Sequence, residues 1–507
     1  MGALDWIIVG IYGLLLFWIG YAASRKQSTT DEYFRGSRQL PWWAIGFSII
    51  ATSFSAASLL GGPGEGYNNG LLYLQLQFGD LIGYLLVIFL FLPFFVGLNL
   101  TTAYEYLERR FDGKTRSLGA FCFLLFVIAR LGALLYAAAL AVSTVAGISL
   151  SLAILIVGVV SIIYTVAGGI AAVVWTDVLQ FGMIFIGVGA GIWAATQGVP
   201  GGFSALWNSA AEAGKLTIIN TAWEPGNVRT LPTALLAYGT LAFAVAGTNQ
   251  QSVQRYVSCA TIQDGRKAIL LGWFSGFVGV ASTLLLGILL FGFYANSGDL
   301  PADIAADGIL SHFIVNHVPI GASGLLVAAI FAAAMSSIDS ALHSLATCMT
   351  VDFYQRYANT ERSDTQSLKM AQILIVVWGI VGMASAFYVA STGQDLLPFL
   401  VTYTTMFLGP LLGLFLMGVL IPRVNATGAF YGTVAAVALL VLNAQAIRLT
   451  TTVEGVVTWP LNFPGIWQSA IIAPIAVLLG LLISLATAAP ATRSINGLTL
   501  WSHNALD

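Results

Sequence analysis

The stretch that decides the fold is FAAAMSSIDSALHSLATCMT, residues 331–350. Its neighbours are apolar enough to span a bilayer, yet its middle carries several polar side chains. At helical spacing Ser336, Asp339, Ser340 and His343 fall at i, i+3, i+4 and i+7, so they share one face. A carboxylate at membrane depth costs about 2.5–3.5 kcal/mol to insert. It must therefore face a cavity, a partner group or an ion.

This polar face has two interpretations. Oxygen ligands on one stripe, with a carboxylate among them, are what a hard cation such as sodium binds. Serines that join packed helices through hydrogen bonds would produce a similar stripe. Asp339 and His343 favour a functional site, because a seam between helices requires hydroxyl groups alone.

Composition places the chain in the membrane. The 507 residues are 58% hydrophobic and 8% charged, whereas soluble domains carry about 25% charged residues. We therefore expect an all-α polytopic membrane protein embedded in a lipid bilayer. The first apolar run, residues 4–23, is too long for a signal sequence and lacks a basic leader, so it predicts a retained helix. Three scattered cysteines show no metal-binding or disulfide spacing. A net charge of −2 gives no sign of a nucleic-acid partner.

The hydropathy pattern predicts thirteen membrane-spanning helices. Their expected bounds are 4–24, 41–66, 70–97, 118–147, 150–168, 170–196, 232–257, 267–294, 322–352, 368–391, 395–421, 427–447 and 466–488. They are numbered one to thirteen below.

Helices two and seven are both interrupted by polar residues. Helix two carries Thr52, Ser53, Ser55 and Ser58 at mid-span and is expected to end at Gly61-Gly62-Pro63-Gly64. Helix seven is interrupted at residues 247–251, by GTNQQ. Broken helices in corresponding positions point to an inverted-repeat transporter with a binding site near the middle of the membrane. An unbroken helix two whose serines bond to its own carbonyls is the alternative.

This layout predicts a five-plus-five inverted-repeat core with two discontinuous helices. The expected divisions are an additional amino-terminal helix and loop (1–40), the first repeat (41–196), a loop (197–231), the second repeat (232–421) and two peripheral helices with a short tail (422–507).

The basic residues predict the orientation, because loops rich in lysine and arginine stay in the cytoplasm. One set of loops carries Arg25, Lys26, Arg35, Arg38, Arg109, Arg110, Lys114, Arg116, Arg266, Lys267, Arg356, Arg362 and Lys369, and the opposite set carries Lys215, Arg229 and Arg448. We expect a multi-pass protein of the plasma (inner) membrane with its amino terminus outside and its carboxyl terminus in the cytoplasm.

Arg130 lies near the middle of helix four, too deep to reach water easily. It needs an anionic partner. A structural ion pair with Asp80, Asp177 or Asp339 is one interpretation. A substrate carboxylate is the other, since a guanidinium group binds planar carboxylates through two parallel hydrogen bonds.

Five segments together resemble the sodium:solute symporter family over about residues 5–425. They are DEYFRGSRQLPWW (31–43), YEYLERRF (104–111), AVVWTDVLQ (172–180), NQQSVQRY (249–256) and AAAMSSIDSALHSLATCMTVDFYQR (332–356). The resemblance implies a sodium-coupled symporter that works by alternating access and uses one or two Na⁺ ions.

The resemblance also implies the sodium ligands. The shared site would use the carbonyl groups of Ala51, Phe54 and Ala333 with the hydroxyl groups of Ser336 and Ser337. A second site, present in some members, would fall on Asp177, Ser336, Asp339 and Ser340. Asp339 departs from those members, which have serine or threonine there. Two neighbouring carboxylates repel each other unless a cation or a proton lies between them.

The implied substrate residues resemble those of the sialic acid branch of the family. Arg130 falls where that branch has an arginine for the sugar's carboxylate, and Gln77 falls where it has a glutamine. Ser53, Ser55, Ser58, Tyr73 and Asn249 complete the expected substrate site. We expect a small anionic solute, with sialic acid (N-acetylneuraminate) as the specific candidate. A neutral sugar, an amino acid or a monocarboxylate is the alternative, and we expect a functional monomer.

Three other classes of function fit the sequence less well. A sensor built on the same membrane domain would need a long carboxyl-terminal signalling domain, and only about twenty residues follow the last predicted helix. An enzyme would need a nucleophile with its base, or a metal cluster, and the sequence shows neither. A channel would need a continuous pore instead of broken helices.

Overall fold

The computed structural model describes residues 2–24, 29–301, 304–357, 363–392, 396–452 and 465–502. All the regular secondary structure in these ranges is helical. The membrane helices are Ala3–Ser24 (one), Trp42–Ser53 with Ala56–Asn69 (two), Leu72–Gly97 (three), Gly113–Ala146 (four), Leu150–Gln197 (five and six), Leu231–Thr248 with Gln250–Val257 (seven), Ile262–Ser297 (eight), Ala322–Tyr354 (nine), Asp364–Thr392 (ten), Leu396–Leu420 (eleven), Ala426–Thr452 (twelve) and Gln468–Leu485 (thirteen).

The predicted number of spans is compatible with this architecture. Within the described residues, ten helices are long and apolar enough to cross a membrane, and the bent pair of helix two adds an eleventh. Two shorter apolar segments, Leu150–Val166 and Thr404–Leu420, belong to helices five and eleven. Helices five and six are separated by Gly169, whose φ of 52° and ψ of −169° are accessible to glycine and strained for other residues.

Helix nine lies at the centre of the molecule. Within its most apolar 18-residue stretch 89% of the residues are buried, against 17% for helix one. A helix buried on all sides must satisfy its polar groups against neighbouring helices, since lipid offers no hydrogen bonds. The serines and Asp339 of helix nine therefore have to meet protein groups or ligands.

Helix two is broken within the predicted polar stretch of residues 52–58. Its two halves meet at an angle of 70°, and Phe54, with φ −88° and ψ 90°, leaves the helical conformation. The Gly61–Gly64 stretch was expected to end the helix, but it lies inside the second half, Ala56–Asn69. This part of the prediction is wrong because glycine also serves close packing. A Cβ atom on Gly66 would collide with the carbonyl oxygen of Leu284 in helix eight.

Helix seven is broken at Asn249, within the predicted interruption. Asn249 has φ −79° and ψ 122°, and its side chain accepts a hydrogen bond from the backbone N–H of Gln251 at 3.0 Å. An asparagine that accepts such a bond is a typical N-cap. The second half, Gln250–Val257, therefore begins as a new helix that turns its own buried face toward helices six and nine.

Candidate functional site

The break in helix two lies against helix nine. The hydroxyl of Ser337 donates to the carbonyl oxygen of Thr52 at 3.0 Å, and Thr52 Oγ1 lies 2.9 Å from Ser340 Oγ. Ser336 donates to the carbonyl oxygen of Ala333 at 3.2 Å. The residues predicted for the shared sodium site, Ala51, Phe54, Ala333, Ser336 and Ser337, are all buried. The structure thus brings together the two segments that were predicted to bind sodium, one at the break of helix two and the other in helix nine.

This crossing has the chemistry of a site for a small hard cation. The last carbonyl groups of a helix have no intrahelical partner, and the break exposes them in the protein interior. Hydroxyl and carbonyl oxygens are the donors that hard cations prefer. The carbonyl groups at the break of helix two and the hydroxyl groups of Ser336 and Ser337 are donors of this kind.

A buried charge cluster lies beside this crossing, and its centre is Arg255. Its Nη2 lies 2.9 Å from Asp177 Oδ2 and 2.5 Å from Ser340 Oγ, and its Nε donates to Ser48 Oγ at 2.8 Å. Ser48 Oγ donates in turn to Asp177 at 2.5 Å. With its amide oriented to donate, Gln180 lies 3.2 Å from the other oxygen of Asp177. Asp177 is therefore already neutralised and hydrogen-bonded.

Asp339, the second carboxylate of the cluster, has weaker partners. Its Oδ2 accepts from the Tyr164 hydroxyl at 3.1 Å, and its Oδ1 lies 3.4 Å from Ser340 Oγ. Within the described part of the chain Asp339 forms no ion pair, although it is fully buried. The residues predicted for a second sodium site are Asp177, Ser336, Asp339 and Ser340. Among them Asp177 pairs with Arg255, which also donates to Ser340, while Ser336 donates to the carbonyl oxygen of Ala333. Asp339 is the carboxylate of this set that has no ion pair among the described residues.

Arg255 was not assigned a role from the sequence, although it belongs to the quoted segment NQQSVQRY. Residues 78 positions apart, in helices six and seven, form this pair. The signal that could have revealed it is charge balance. Two predicted intramembrane carboxylates need positive charge nearby, and Arg255 lies within the predicted span of helix seven.

His343, the last member of the polar stripe, does not join the cluster. Its ring packs against Tyr33 and Phe34, with ring centroids 5.3 and 6.4 Å away. Neither ring nitrogen has a hydrogen-bond partner among the described residues. His343 is thus a packing residue beneath the short helix Thr30–Arg35.

A cavity of about 430 Å³ opens next to the break in helix two. Six of the seven predicted substrate residues line it: Ser53, Ser55, Ser58, Tyr73, Gln77 and Arg130. The polar residues that line it beyond the prediction are Glu65, Asp80, Tyr84, Tyr238, Trp273, Thr283, Asp307 and Thr404. Ser55 Oγ and Ser58 Oγ are 3.5 Å apart, while Ser53 donates to the carbonyl oxygen of Ile49 at 3.1 Å.

Asn249 is the predicted substrate residue that the cavity lining does not include. It is buried, and both ends of its amide are engaged with Gln251, to the backbone at 3.0 Å and to the side chain at 3.3 Å. The structure therefore does not bring Asn249 together with the other predicted substrate residues. The amide is needed to begin the second half of helix seven.

Arg130 faces this cavity without a carboxylate partner. Its guanidinium carbon lies 5.9 Å from the centre of the Phe126 ring, and no ion pair joins it to any carboxylate in the described ranges. The expected alternative of a structural pair with Asp80, Asp177 or Asp339 is thus contradicted. Glu65, another carboxylate of the lining, is held by Arg229, whose Nη2 lies 2.8 Å from Oε2. The positive charge of Arg130 is available to a ligand.

Comparison with known proteins identifies the family. The model of the sodium:solute symporter family matches residues 33–436. The chain belongs to this family. The expectation drawn from the five sequence segments is confirmed. Members of the family are symporters, so the chain is a multi-pass membrane transporter and not an enzyme.

Individual relatives refine this result. The chain is 31% identical to a sodium/sialic acid symporter of Aliivibrio fischeri, over 90% of each chain. It is 32% identical to a sodium/sialic acid symporter of Proteus mirabilis, over 86% of this chain and 88% of the relative.

Two solved structures resemble this one. That of a Na⁺-coupled sialic acid symporter in a substrate-bound outward-open state has a TM-score of 0.85 and 29% identity, and the match covers 96% of this chain and 99% of that one. A nucleobase-cation-symport-1 family transporter has a TM-score of 0.56 at 15% identity, covering 90% and 93%. The second shows only that the fold is shared.

Proposed function

We propose that this chain is a sodium-coupled secondary active symporter that imports a carboxylate-bearing sugar acid, N-acetylneuraminate, by alternating access. The observation that carries the proposal is Arg130. Its guanidinium faces a cavity rich in hydroxyl groups and has no carboxylate partner among the described residues. A buried charge without a partner is costly, and a substrate carboxylate supplies the missing charge. The similarity to two sodium/sialic acid symporters supports the same substrate.

The cavity suits a molecule of this kind. A volume of about 430 Å³ lies in the range of small-molecule sites. Arg130 binds the carboxylate, while Ser55, Ser58 and Gln77 offer hydrogen bonds to hydroxyl and amide groups. Ser53 and Tyr73 complete the wall. A neutral sugar would leave Arg130 unpaired, which disfavours the alternative of a neutral solute.

Sodium binds, in this proposal, at the crossing of helices two and nine. Its ligands are the carbonyl oxygens of Ala51, Phe54 and Ala333 and the hydroxyl oxygens of Ser336 and Ser337. When bound, the ion supplies a positive charge that draws these oxygens together. It thereby holds the break of helix two in the shape that presents Ser55 and Ser58 to the cavity. Linkage then requires sodium and substrate to strengthen each other's binding by the same factor.

The number of sodium ions, one or two, depends on Asp339. Arg255 already compensates Asp177, so the cluster has one carboxylate in excess among the described residues. Asp339, with Ser340 and the Tyr164 hydroxyl at 3.1 Å, is the position where a second cation would be held. The charge count of the cluster therefore favours a second cation, bound apart from Asp177.

We infer the orientation from the loops. Their basic residues converge at one end of the bundle, where Arg35 and Arg38 both donate to Asn99, at 2.7 and 3.0 Å. At that end Glu108 pairs with Arg356, and the neighbouring guanidinium holds the pKa of this carboxyl below its usual value. This end is cytoplasmic by the positive-inside rule. The amino terminus then lies outside, the carboxyl terminus in the cytoplasm, and the protein in the inner (plasma) membrane.

A single copy of the chain carries the whole proposed mechanism. The cavity, the sodium crossing and the Arg255 cluster are all built within one chain, which supports a functional monomer in the lipid bilayer. We propose the same repeat division as from the sequence, with the first repeat over 41–196 and the second over 232–421. Each repeat then begins with one of the two broken helices.

Uptake into proteoliposomes tests the proposal. We expect saturable accumulation of N-acetylneuraminate that needs an inward sodium gradient and is lost when potassium replaces sodium. Unlabelled N-acetylneuraminate should compete, whereas glucose, proline and lactate should not. Sodium-driven uptake of one of these competitors, without uptake of the sugar acid, would instead support a symporter for a neutral sugar, an amino acid or a monocarboxylate.

A further inference from the structure

Asp80 is a charged residue of the cavity lining, and the proposed function assigns it no role. It lies on helix three, three residues after Gln77, so both side chains fall on one face of the helix. Both line the same cavity as Arg130. Asp80 forms no ion pair with a basic residue in the described part of the chain, and it is only half-buried because it faces the cavity.

The cavity is therefore bipolar. Its lining carries one guanidinium group, Arg130, and three carboxylates, Glu65, Asp80 and Asp307, and Asp80 does not pair with Arg130. Glu65 does not contribute a free charge, because Arg229 neutralises it. A ligand that fills such a cavity must bring an anionic group to one side and hydrogen-bond donors to the other.

The chemistry of an ionised carboxylate defines the second group. It only accepts hydrogen bonds, at up to about four positions on two oxygens. The amide of Gln77 is within reach of Asp80 and can satisfy one of these positions. Tyr84 and Tyr238 also line the cavity. Because Asp80 itself lines the cavity, a ligand there can use acceptor positions that these neighbours leave open.

We propose that Asp80 is a specificity-determining residue that accepts hydrogen bonds from the polyol end of the substrate. The inference rests on the proposed function and narrows its substrate class. The preferred solutes are acids that carry vicinal hydroxyl groups remote from the carboxylate, and simple monocarboxylates are poor substrates. Hydroxyl groups that donate to a charged acceptor form bonds stronger than neutral ones, so they compensate for placing an anionic ligand near a second negative charge.

The test is calorimetric binding to the full chain in saturating sodium with two ligands. One is N-acetylneuraminate, and the other is its analogue with the exocyclic polyol shortened by periodate cleavage and reduction. Asp80→Asn removes the charge with almost no change of shape. Asp307→Asn removes a different carboxylate of the same cavity lining and is the matched control.

We expect Asp80→Asn to weaken N-acetylneuraminate about ten- to hundredfold and to leave the shortened analogue within about threefold. Wild type should prefer the full-length sugar acid, and Asp80→Asn should lose this preference. Asp307→Asn should change the affinities for the two ligands by the same factor. A carboxylate that merely repels the substrate would give the opposite sign, with both ligands bound more tightly by Asp80→Asn.

Two further results distinguish a failure of the proposed role of Asp80 from a failure of the proposed function. If wild type binds both ligands equally, or if Asp80→Asn weakens both equally, the role of Asp80 is refuted and the proposed function stands. Equal binding of the two ligands by wild type refutes the role of Asp80 even if Asp80→Asn does not fold. If wild type shows no sodium-dependent binding of N-acetylneuraminate, the proposed function fails and this inference fails with it.

Discussion

Arg255 donates from Nη2 to Oδ2 of Asp177 over 2.9 Å, and both side chains are almost completely buried. The pair joins the second half of helix seven to helix six, and Ser48 of helix two bonds to both partners. Three helices, two of them discontinuous, thus share one buried charge pair. The pair adjoins the sodium crossing through Ser340, so its integrity determines the geometry of that crossing.

The first prediction concerns this pair. Arg255→Gln should lower the free energy of unfolding by about 3–5 kcal/mol, because it leaves Asp177 buried without its cationic partner. Asp177→Asn should cost less, because the excess carboxylate Asp339 still balances the charge of Arg255. The double variant should be more stable than Arg255→Gln, since the charge of Asp177 is then absent too. Thermal or denaturant unfolding of the purified protein in detergent measures this. Additive losses would show that the two residues act independently.

The second prediction concerns the sodium crossing. Ser336→Ala and Ser337→Ala each remove one of about five oxygen ligands and should weaken sodium binding about tenfold or more, as even outer-shell changes weaken metal binding about 10- to 100-fold. The control is Ser344→Ala, because Ser344 is equally buried on helix nine and donates to the carbonyl oxygen of Ala341 at 3.0 Å. Sodium dependence of uptake is the measurement. If all three variants behave like wild type, sodium binds elsewhere.

The third prediction concerns Asp339, the excess carboxylate. We expect Asp339→Asn to lower the Hill coefficient for sodium from about two toward one, because the second cation loses its charged ligand. Uptake rates as a function of sodium concentration, at several pH values, provide the measurement. An unchanged Hill coefficient with a shifted pH profile would assign a proton to Asp339. No change in either would make Asp339 a structural partner of Tyr164.

The fourth prediction concerns Arg130. Arg130→Ala should weaken substrate binding at least about tenfold, since hydrogen bonds to charged groups contribute about 1.5–3 kcal/mol. Arg130→Lys should lie between this variant and wild type, because it retains the charge and loses the two-pronged geometry. The substrate amide, which has no charge, is the control ligand. If wild type binds the amide as well as the acid, Arg130 does not bind the carboxylate.

The sequence was sufficient to predict where the membrane helices lie, because the thickness of the bilayer sets the length of each apolar segment. It also indicated both breaks, since polar groups interrupt helices two and seven. The break at Phe54 falls within the polar stretch of residues 52–58, but helix two does not end at Gly61–Gly64 as expected and continues to Asn69. A Cβ atom on Gly62 would meet the side chain of Thr283, and one on Gly64 would meet the carbonyl oxygen of Ala306. Such close contacts have no signature in the local sequence.

The site was predictable to a similar degree. Residues of one helix face, such as Ser336 and Ser340, follow from periodicity alone. Partners on different helices do not, and so the pairing of Arg255 with Asp177 remained hidden. Asn249 shows the converse case. A polar residue at a helix break can either bind a ligand or cap the next helix. For Asn249 only the hydrogen bonds to Gln251 reveal the capping role.

The glycine contacts of helix two have a mechanical consequence. A Cβ on Gly66 would strike the carbonyl oxygen of Leu284, and one on Gly287 would strike that of Pro63. Helices three and seven are joined in the same way through Gly79 and Ala234. Backbone lies directly on backbone at these points, with no side-chain rotamers between them to absorb a shift. This close backbone packing couples the second half of helix two to helix eight, and helix three to helix seven.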